Sequence, residues 1–234
     1  MAGKERARLK AARRAVPTVS VWNNEWLSQN RLAKDIADLS LELTGGRLLD
    51  VGCGNKPYRK CFPQVGEYWG IDVALESSAD VASLAMPLPF SSCSFDGALC
   101  TQVLEHVETP AVLIQELARV LRPNGQLLLS APMYWRHHEE PYDFYRFTRH
   151  GLTLLLTEGG FEIKRLLQQG GAWRVVGQAM ANTFLASVRF RTFGARAAVL
   201  AMINMTFSAL DRVNYQSEDT CNFVVLACKR KEPL

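Results

Sequence analysis

At 234 residues, with 48% hydrophobic and 21% charged residues, the chain has the composition of an ordinary globular protein and the length of one α/β domain with an appendage. There is no repeat or low-complexity stretch, and the six cysteines form no C-x-x-C pair, which argues against a disulfide framework and leaves no metal ligands expected. The net charge of +4 gathers in residues 1–20, where Lys4, Arg6, Arg8, Lys10, Arg13 and Arg14 meet only Glu5. This reads as a solvated, poorly ordered tail rather than a nucleic-acid arm, with the domain proper over residues 21–234. No apolar h-region follows the tail, so no secretory signal is expected. Cysteines sitting in apolar runs read as small hydrophobes of a reducing, cytoplasmic compartment.

Residues 22–44 carry Trp26, Leu32, Ile36, Leu39 and Leu43 at helical spacing, and Gly45-Gly46 reads as the stop. An apolar strand follows over 47–51, interrupted by Asp50, and runs into Gly52-Cys53-Gly54. A strand entering a Gly-x-Gly turn brings backbone N–H groups to a ligand. Pro57 stands where the dinucleotide fingerprint needs its third glycine, which argues against a nicotinamide enzyme. The next strand, 68–73, closes on Asp72, about 20 residues beyond the turn, where Rossmann-like units carry the acid that accepts from the ribose hydroxyls. A strand over 95–100 leads into Gln102 at the ligand edge. Pro110 opens a helix over 110–121, and the RPNG turn delivers a strand over 126–130. Thr148 reads as the N-cap of a helix over 149–158, followed by a strand over 161–167. Two apolar, helix-compatible blocks fill 172–214, each with an uncharged run shorter than the ~18–20 residues that span a bilayer. They read as a helical hairpin inserted before a last strand over 220–229. Packing or dimerisation is the plain role for it; a lid over a lipophilic substrate and contact with a membrane surface are the alternatives. Strands alternating with helices predict an α/β fold, a Rossmann-like doubly wound, mostly parallel sheet.

The densest set of functional groups is the loop from Ala131 to Leu152, with His137, His138, Glu139, Tyr142, Asp143 and Arg146 within a few residues. Loops on a rigid scaffold are where such groups find use. A histidine with its ordinary pKa near 6.5 suits base catalysis at neutral pH. On an extended segment only one of two adjacent histidines points into a cleft.

Several stretches, in order, resemble the class I S-adenosylmethionine-dependent methyltransferases: D-x-G-C-G at Asp50 to Gly54, L-P-F at Leu88 to Phe90, the SFD strand running into Q-V-L-E-H at Gln102 to His106, and L-x-P-x-G at Leu121 to Gly125. A loop of the type H-x-x-P-x-D-x-x-R-F-T, at His138 to Thr148, occurs in a subset of that family. The resemblance covers about residues 45–168 and the last strand, and it implies that the last strand is antiparallel. It implies S-adenosyl-L-methionine as cofactor, held by the backbone at Gly52, Cys53 and Gly54, with Asp50 orienting its amino-acid end, Asp72 its ribose, and Gln102 beside the cleft. The family's acidic adenine contact falls on Leu84, a departure for which Asp80, Ser83 or a backbone carbonyl would have to substitute. The implied reaction is methyl transfer to a small-molecule, glycan or lipophilic acceptor, most simply an oxygen. His138, ahead of His137, is the candidate base; Asp143 and Glu139 orient it, and Trp135, Tyr142 and Tyr145 wall the acceptor. His106 reads as an ordered loop residue. A methyltransferase-fold binding or scaffold protein without catalysis is the alternative, and Leu84 is its one support. No amino-methylating motif of the N/D-P-P-Y type is present, so nucleic acid is not the expected partner.

Overall fold

The computed structural model describes residues 18–43, 45–73, 77–83, 86–187 and 193–231; Leu84, Arg189, Arg191 and most of the basic tail lie outside them. Helix α1 (Trp26–Ser40) precedes β1 (Arg47–Val51), β2 (Glu67–Asp72), β3 (Val81–Ala82) and β4 (Phe95–Thr101). Then come α2 (Pro110–Val120), β5 (Leu121–Pro132), α3 (Arg149–Glu158) and β6 (Phe161–Gln168). The hairpin α4 (Ala172–Ser187) and α5 (Phe193–Val213) precedes β7 (Asn222–Lys229). The seven strands form one sheet in the order β3-β2-β1-β4-β5-β7-β6, parallel from β3 to β5, with β7 antiparallel to both of its neighbours. The expected doubly wound sheet, its antiparallel last strand and the helical insertion before it are all present.

The central strands are apolar on both sides because both faces are covered. Leu49, Val51, Ala98, Cys100, Leu127 and Leu129 pack with α2 and α3. The alternate residues Leu48, Leu99, Leu128, Val224 and Leu226 pack against α1. Each fully buried leucine of this kind contributes about 1.5–3 kcal/mol. The α3 cap forms as expected: Thr148 Oγ1 accepts from the Gly151 N–H at 3.0 Å.

Two boundaries differ from the sequence reading. Helix α1 ends at Ser40, short of Gly45-Gly46. Ser40 Oγ donates to the carbonyls of Ala37 and Cys61, which ties the helix end to the 3-10 turn Arg59–Cys61, while the Gly46 and Arg47 N–H groups both reach Asp96 Oδ2 at 2.9 Å. The glycines therefore let β1 start against Asp96. Strand β5 begins already at Leu121, opposite Phe95, and its register with β4 shifts before Gly97 meets Gln126.

The hairpin packs on α1. A Cβ on Gly177 of α4 would come within 2.5 Å of Phe207 Cβ and 2.8 Å of Leu27 Cδ1, so three helices meet where only a hydrogen fits. Polar side chains fasten the chain entering α1: the Arg174 guanidinium donates to the Leu27 carbonyl at 2.9 Å, Gln178 to that of Asn24 at 2.7 Å, and Asn204 to those of Val21 and Asn23. No helix among the described residues is long and apolar enough to cross a membrane.

Candidate active site

Strands β1 and β4 are neighbours, but the chain leaves β1 toward β2 and leaves β4 toward β5. The crevice outside their carboxyl ends is where open α/β sheets take ligands. The Gly52–Gly54 turn fills one side of it. Gly52 has φ +68° and Gly54 φ +47°, a region that disfavours side chains. A Cβ on Gly52 would strike Val103, whereas one on Gly54 would meet nothing within 4 Å, so Gly54 faces open space. The Gly54 N–H donates to Asp72 Oδ2 at 2.7 Å, which locks the turn to the end of β2. Asp50 is buried, and burial pushes its carboxyl up to about 7, against the opposing effects of the Tyr68 hydroxyl, which donates to it at 2.5 Å, and Lys56. Burial and the nearby carboxylates push the Cys53 thiol up to about 11, so it stays protonated. Asp80 is committed elsewhere: it takes Lys56 Nζ at 2.6 Å and the Gly70 N–H at 2.7 Å.

These features fit the cofactor expected of this turn. A buried carboxyl raised by desolvation suits a ligand ammonium, and a bare glycine surface suits a ligand lying on the backbone.

The other side of the crevice is built by two segments that follow adjacent parallel strands. After β4 comes the 3-10 turn Leu104–His106, and after β5 the loop over 133–148. The loop hangs on the turn: the Phe144 and Tyr145 N–H groups donate to the Glu105 carbonyl at 2.9 and 3.2 Å, and the Tyr145 hydroxyl to that of Glu108 at 2.8 Å. His106 Nδ1 lies 2.6 Å from the Tyr142 carbonyl. A carbonyl only accepts, so Nδ1 carries the hydrogen and Nε2 is the free pole of the neutral ring. The His106 and His138 rings meet edge-on with centroids 4.7 Å apart. His106 Nε2 is 3.9 Å from Glu105 Oε1 and 3.6 Å from Glu139 Oε2. Burial pushes the Glu105 carboxyl up to about 7; it is fully buried and neither oxygen has a hydrogen-bond partner in another described residue.

The expected loop residues are brought together unequally. Arg146 grips Asp143 at two points, 2.7 and 2.9 Å, and also donates to the carbonyls of Trp135, Arg136 and Tyr145. That guanidinium holds the Asp143 carboxyl far below the usual carboxylate range. Asp143 Oδ2 takes the His138 N–H at 3.1 Å and lies 3.4 Å from His138 Nδ1 and 3.5 Å from His137 Nδ1. The Asp143–Arg146 pair thus braces the loop as well as facing both histidines. His138 lines a cavity of about 190 Å³ together with Gln102, His106, Trp135, Glu139 and Asn222, and α1 closes it with Ser28 and Gln29. The His137 side chain is 85% exposed and does not line that cavity. Tyr142 is exposed, and the Tyr145 hydroxyl is bound to the main chain, so of the three expected aromatics only Trp135 lines the cavity. Gln102 has φ +54°, and its amide donates to Ser130 Oγ at 3.1 Å. From sequence, His106 reads as an ordered loop residue and Glu105 is not singled out; the available signal was an acid and a histidine immediately after a strand at the ligand edge.

Residues 49–129 match the model of a methyltransferase domain family. Over those residues, and in its sheet order and glycine turn, the chain is similar to the class I, S-adenosylmethionine-dependent methyltransferases. It is 34% identical over 117 residues to a ubiquinone biosynthesis O-methyltransferase of Xanthomonas oryzae pv. oryzae, a match covering 43% of this chain and 49% of that protein. The chain thus spans about half the length of such curated relatives. Two solved structures share the fold: the [4+2]-cyclase SpnF, with TM-score 0.57 and 23% identity over 87% of this chain and 84% of that one, and a Haemonchus contortus phosphoethanolamine N-methyltransferase 2 bound to phosphomonomethylethanolamine and S-adenosylhomocysteine, with TM-score 0.55 and 17% identity over 91% and 57%.

Proposed function

We propose that the protein transfers the methyl group of S-adenosylmethionine to an oxygen of a small-molecule or glycoconjugate acceptor. The observation that carries this reading is the cavity holding His106, His138 and Trp135, which opens on the same sheet edge as the Gly52–Gly54 turn. The O-methyltransferase named among the relatives supports oxygen as the target. When bound, S-adenosylmethionine supplies an electrophilic methyl on its sulfonium. The protein's own task is to place a nucleophile in line with that methyl and remove its proton. Gly52, Cys53 and Gly54 offer the cofactor a backbone surface bare of side chains at Gly54, their N–H groups being given to the Ile71 carbonyl and to Asp72; Asp50 receives its ammonium, and Asp72 receives its ribose. His138 takes the acceptor's proton, Asp143 holds that ring, and Trp135 stacks on the acceptor. The exposed methionines Met202 and Met205 of α5 are the surface through which peripheral membrane contact or pairing of two chains would run.

Methyl-labelled S-adenosylmethionine, incubated with the full chain and a panel of phenols, glycosides and lipophilic quinols, tests the proposal. Label is expected in an ether product. Tight cofactor binding with no transfer to any acceptor class would favour the scaffold alternative.

The cofactor site has a pH signature. Asp50 faces Tyr68, Lys56, Tyr58 and Asp72, and its carboxyl titrates near 7 before the cofactor binds. A bound ammonium favours the ionised form, so binding lowers that pKa and expels a proton wherever the carboxyl was protonated. Affinity is therefore expected to be full above pH 7 and to fall by up to about tenfold per pH unit below it. Calorimetry at a series of pH values, in buffers of different ionisation enthalpy, reads both effects. Asp50→Asn should flatten the profile; a flat profile in the unmodified protein would remove Asp50 from the ammonium site.

A further inference from the structure

We propose that Glu105, His106 and His138 form a binding site for a divalent transition-metal ion, of the zinc and cobalt type. One ligand atom from each residue lies within 4.8 Å of the other two, although the residues come from two different segments. At metal–ligand bonds of about 2.0–2.1 Å, tetrahedral ligand atoms stand about 3.3 Å apart. The observed 3.9 Å between His106 Nε2 and Glu105 Oε1 therefore needs only a small contraction to close around an ion.

Three further observations point the same way. Glu105 is wholly buried, and neither carboxylate oxygen nor the buried His138 Nδ1 has a hydrogen-bond partner in another described residue. A buried carboxylate without a partner is costly unless a cation completes it. His106 also has its other nitrogen turned to an oxygen, Nδ1 to the Tyr142 carbonyl at 2.6 Å. Metal-binding histidines are oriented in this way, with carbonyl or carboxylate fixing the ring so that the far nitrogen serves the ion. Finally, the cluster opens into the cavity of about 190 Å³, with Glu139 Oε2 only 3.6 Å from His106 Nε2 at its rim. Three protein ligands and an open side are the plan of a catalytic rather than a closed structural centre. Two imidazoles and a carboxylate, with no thiolate, suit zinc, cobalt, manganese or ferrous iron better than the all-oxygen ions calcium and magnesium.

The binding itself does not depend on the reaction proposed above. Only the ion's task rests on that reading: with an ion bound, His138 holds the ion and is not itself the base; the ion would take the acceptor hydroxyl into an open position and make it easier to deprotonate, with the Glu139 carboxylate at the rim to receive the proton. The test uses the full chain, stripped with a chelator and titrated with Zn²⁺ by calorimetry and with Co²⁺ by its visible ligand-field absorption. One equivalent is expected to bind, with the absorption of a nitrogen–oxygen site. His106→Ala, His138→Ala and Glu105→Gln should each weaken binding by at least about tenfold, while His150→Ala, on the exposed face of α3, should not. Retained S-adenosylhomocysteine binding checks that each variant is folded; should Glu105→Gln fail this check, the two histidine variants carry the test. Absence of binding, or equal affinity in the folded variants and the parent, would overturn the site. If the ion binds as expected but the stripped protein methylates its acceptor equally fast, the site stands and its part in methyl transfer falls.

Discussion

Asp72→Ala is expected to weaken binding of S-adenosylmethionine by roughly 30- to 900-fold. On the proposed role of Asp72, the replacement would remove two hydrogen bonds from ribose hydroxyls to a carboxylate, together worth about 2–4 kcal/mol. The side chain also does local work, because its Oδ2 receives the Gly54 N–H at 2.7 Å. Losing that bond loosens the turn on which the cofactor would lie, so both effects act in the same direction. Calorimetry with S-adenosylhomocysteine measures the loss, and a melting curve of the cofactor-free variant separates it from unfolding. Unchanged affinity would mean that Asp72 serves only the turn.

His138→Ala is expected to lower turnover by about 10²–10⁴-fold while leaving cofactor affinity intact. His106→Ala should fall in the same range, because the two rings meet edge-on beside Glu105. His137→Ala should cost little, since that side chain is 85% exposed and outside the cavity. Single-turnover rates with saturating cofactor read the chemical step directly. If His138→Ala and His106→Ala both keep the parent rate, methyl transfer rests on positioning alone and the cluster is not catalytic.

The parts of the site that were legible in the sequence are the contiguous ones. The strand, the glycine turn and Asp72 follow one another in the chain, and their chemistry needs only neighbours along β1 and β2. The loop at 131–152 was legible as a concentration of groups, but not the division of labour within it. Asp143 could be paired with either histidine or with Arg146 on sequence spacing; the structure gives its carboxylate to Arg146 at two points and leaves it facing both rings. His106 read as an ordered loop residue, and Glu105 beside it drew no reading of its own. Their meeting with His138 depends on β4 and β5 being neighbours, which sets the turn after one against the loop after the other. The helical hairpin was legible as two apolar blocks, but what it packs on was not: Arg174, Gln178 and Asn204 each find their carbonyl roughly 150 to 180 residues earlier in the chain.

The suspension of α1 from that hairpin separates two duties within one chain. On the function proposed above, the sheet edge would hold the methyl donor and the groups around the reacting oxygen. The α1 side of the cavity, Ser28 and Gln29, is hung by side-chain amides and a guanidinium from α4 and α5. Changing α4 and α5 would raise, lower or tilt that side while leaving the sheet edge in place. Acceptor choice could then drift through changes far from the reaction centre, and grafting a foreign hairpin onto this sheet would be a direct way to give it a new acceptor.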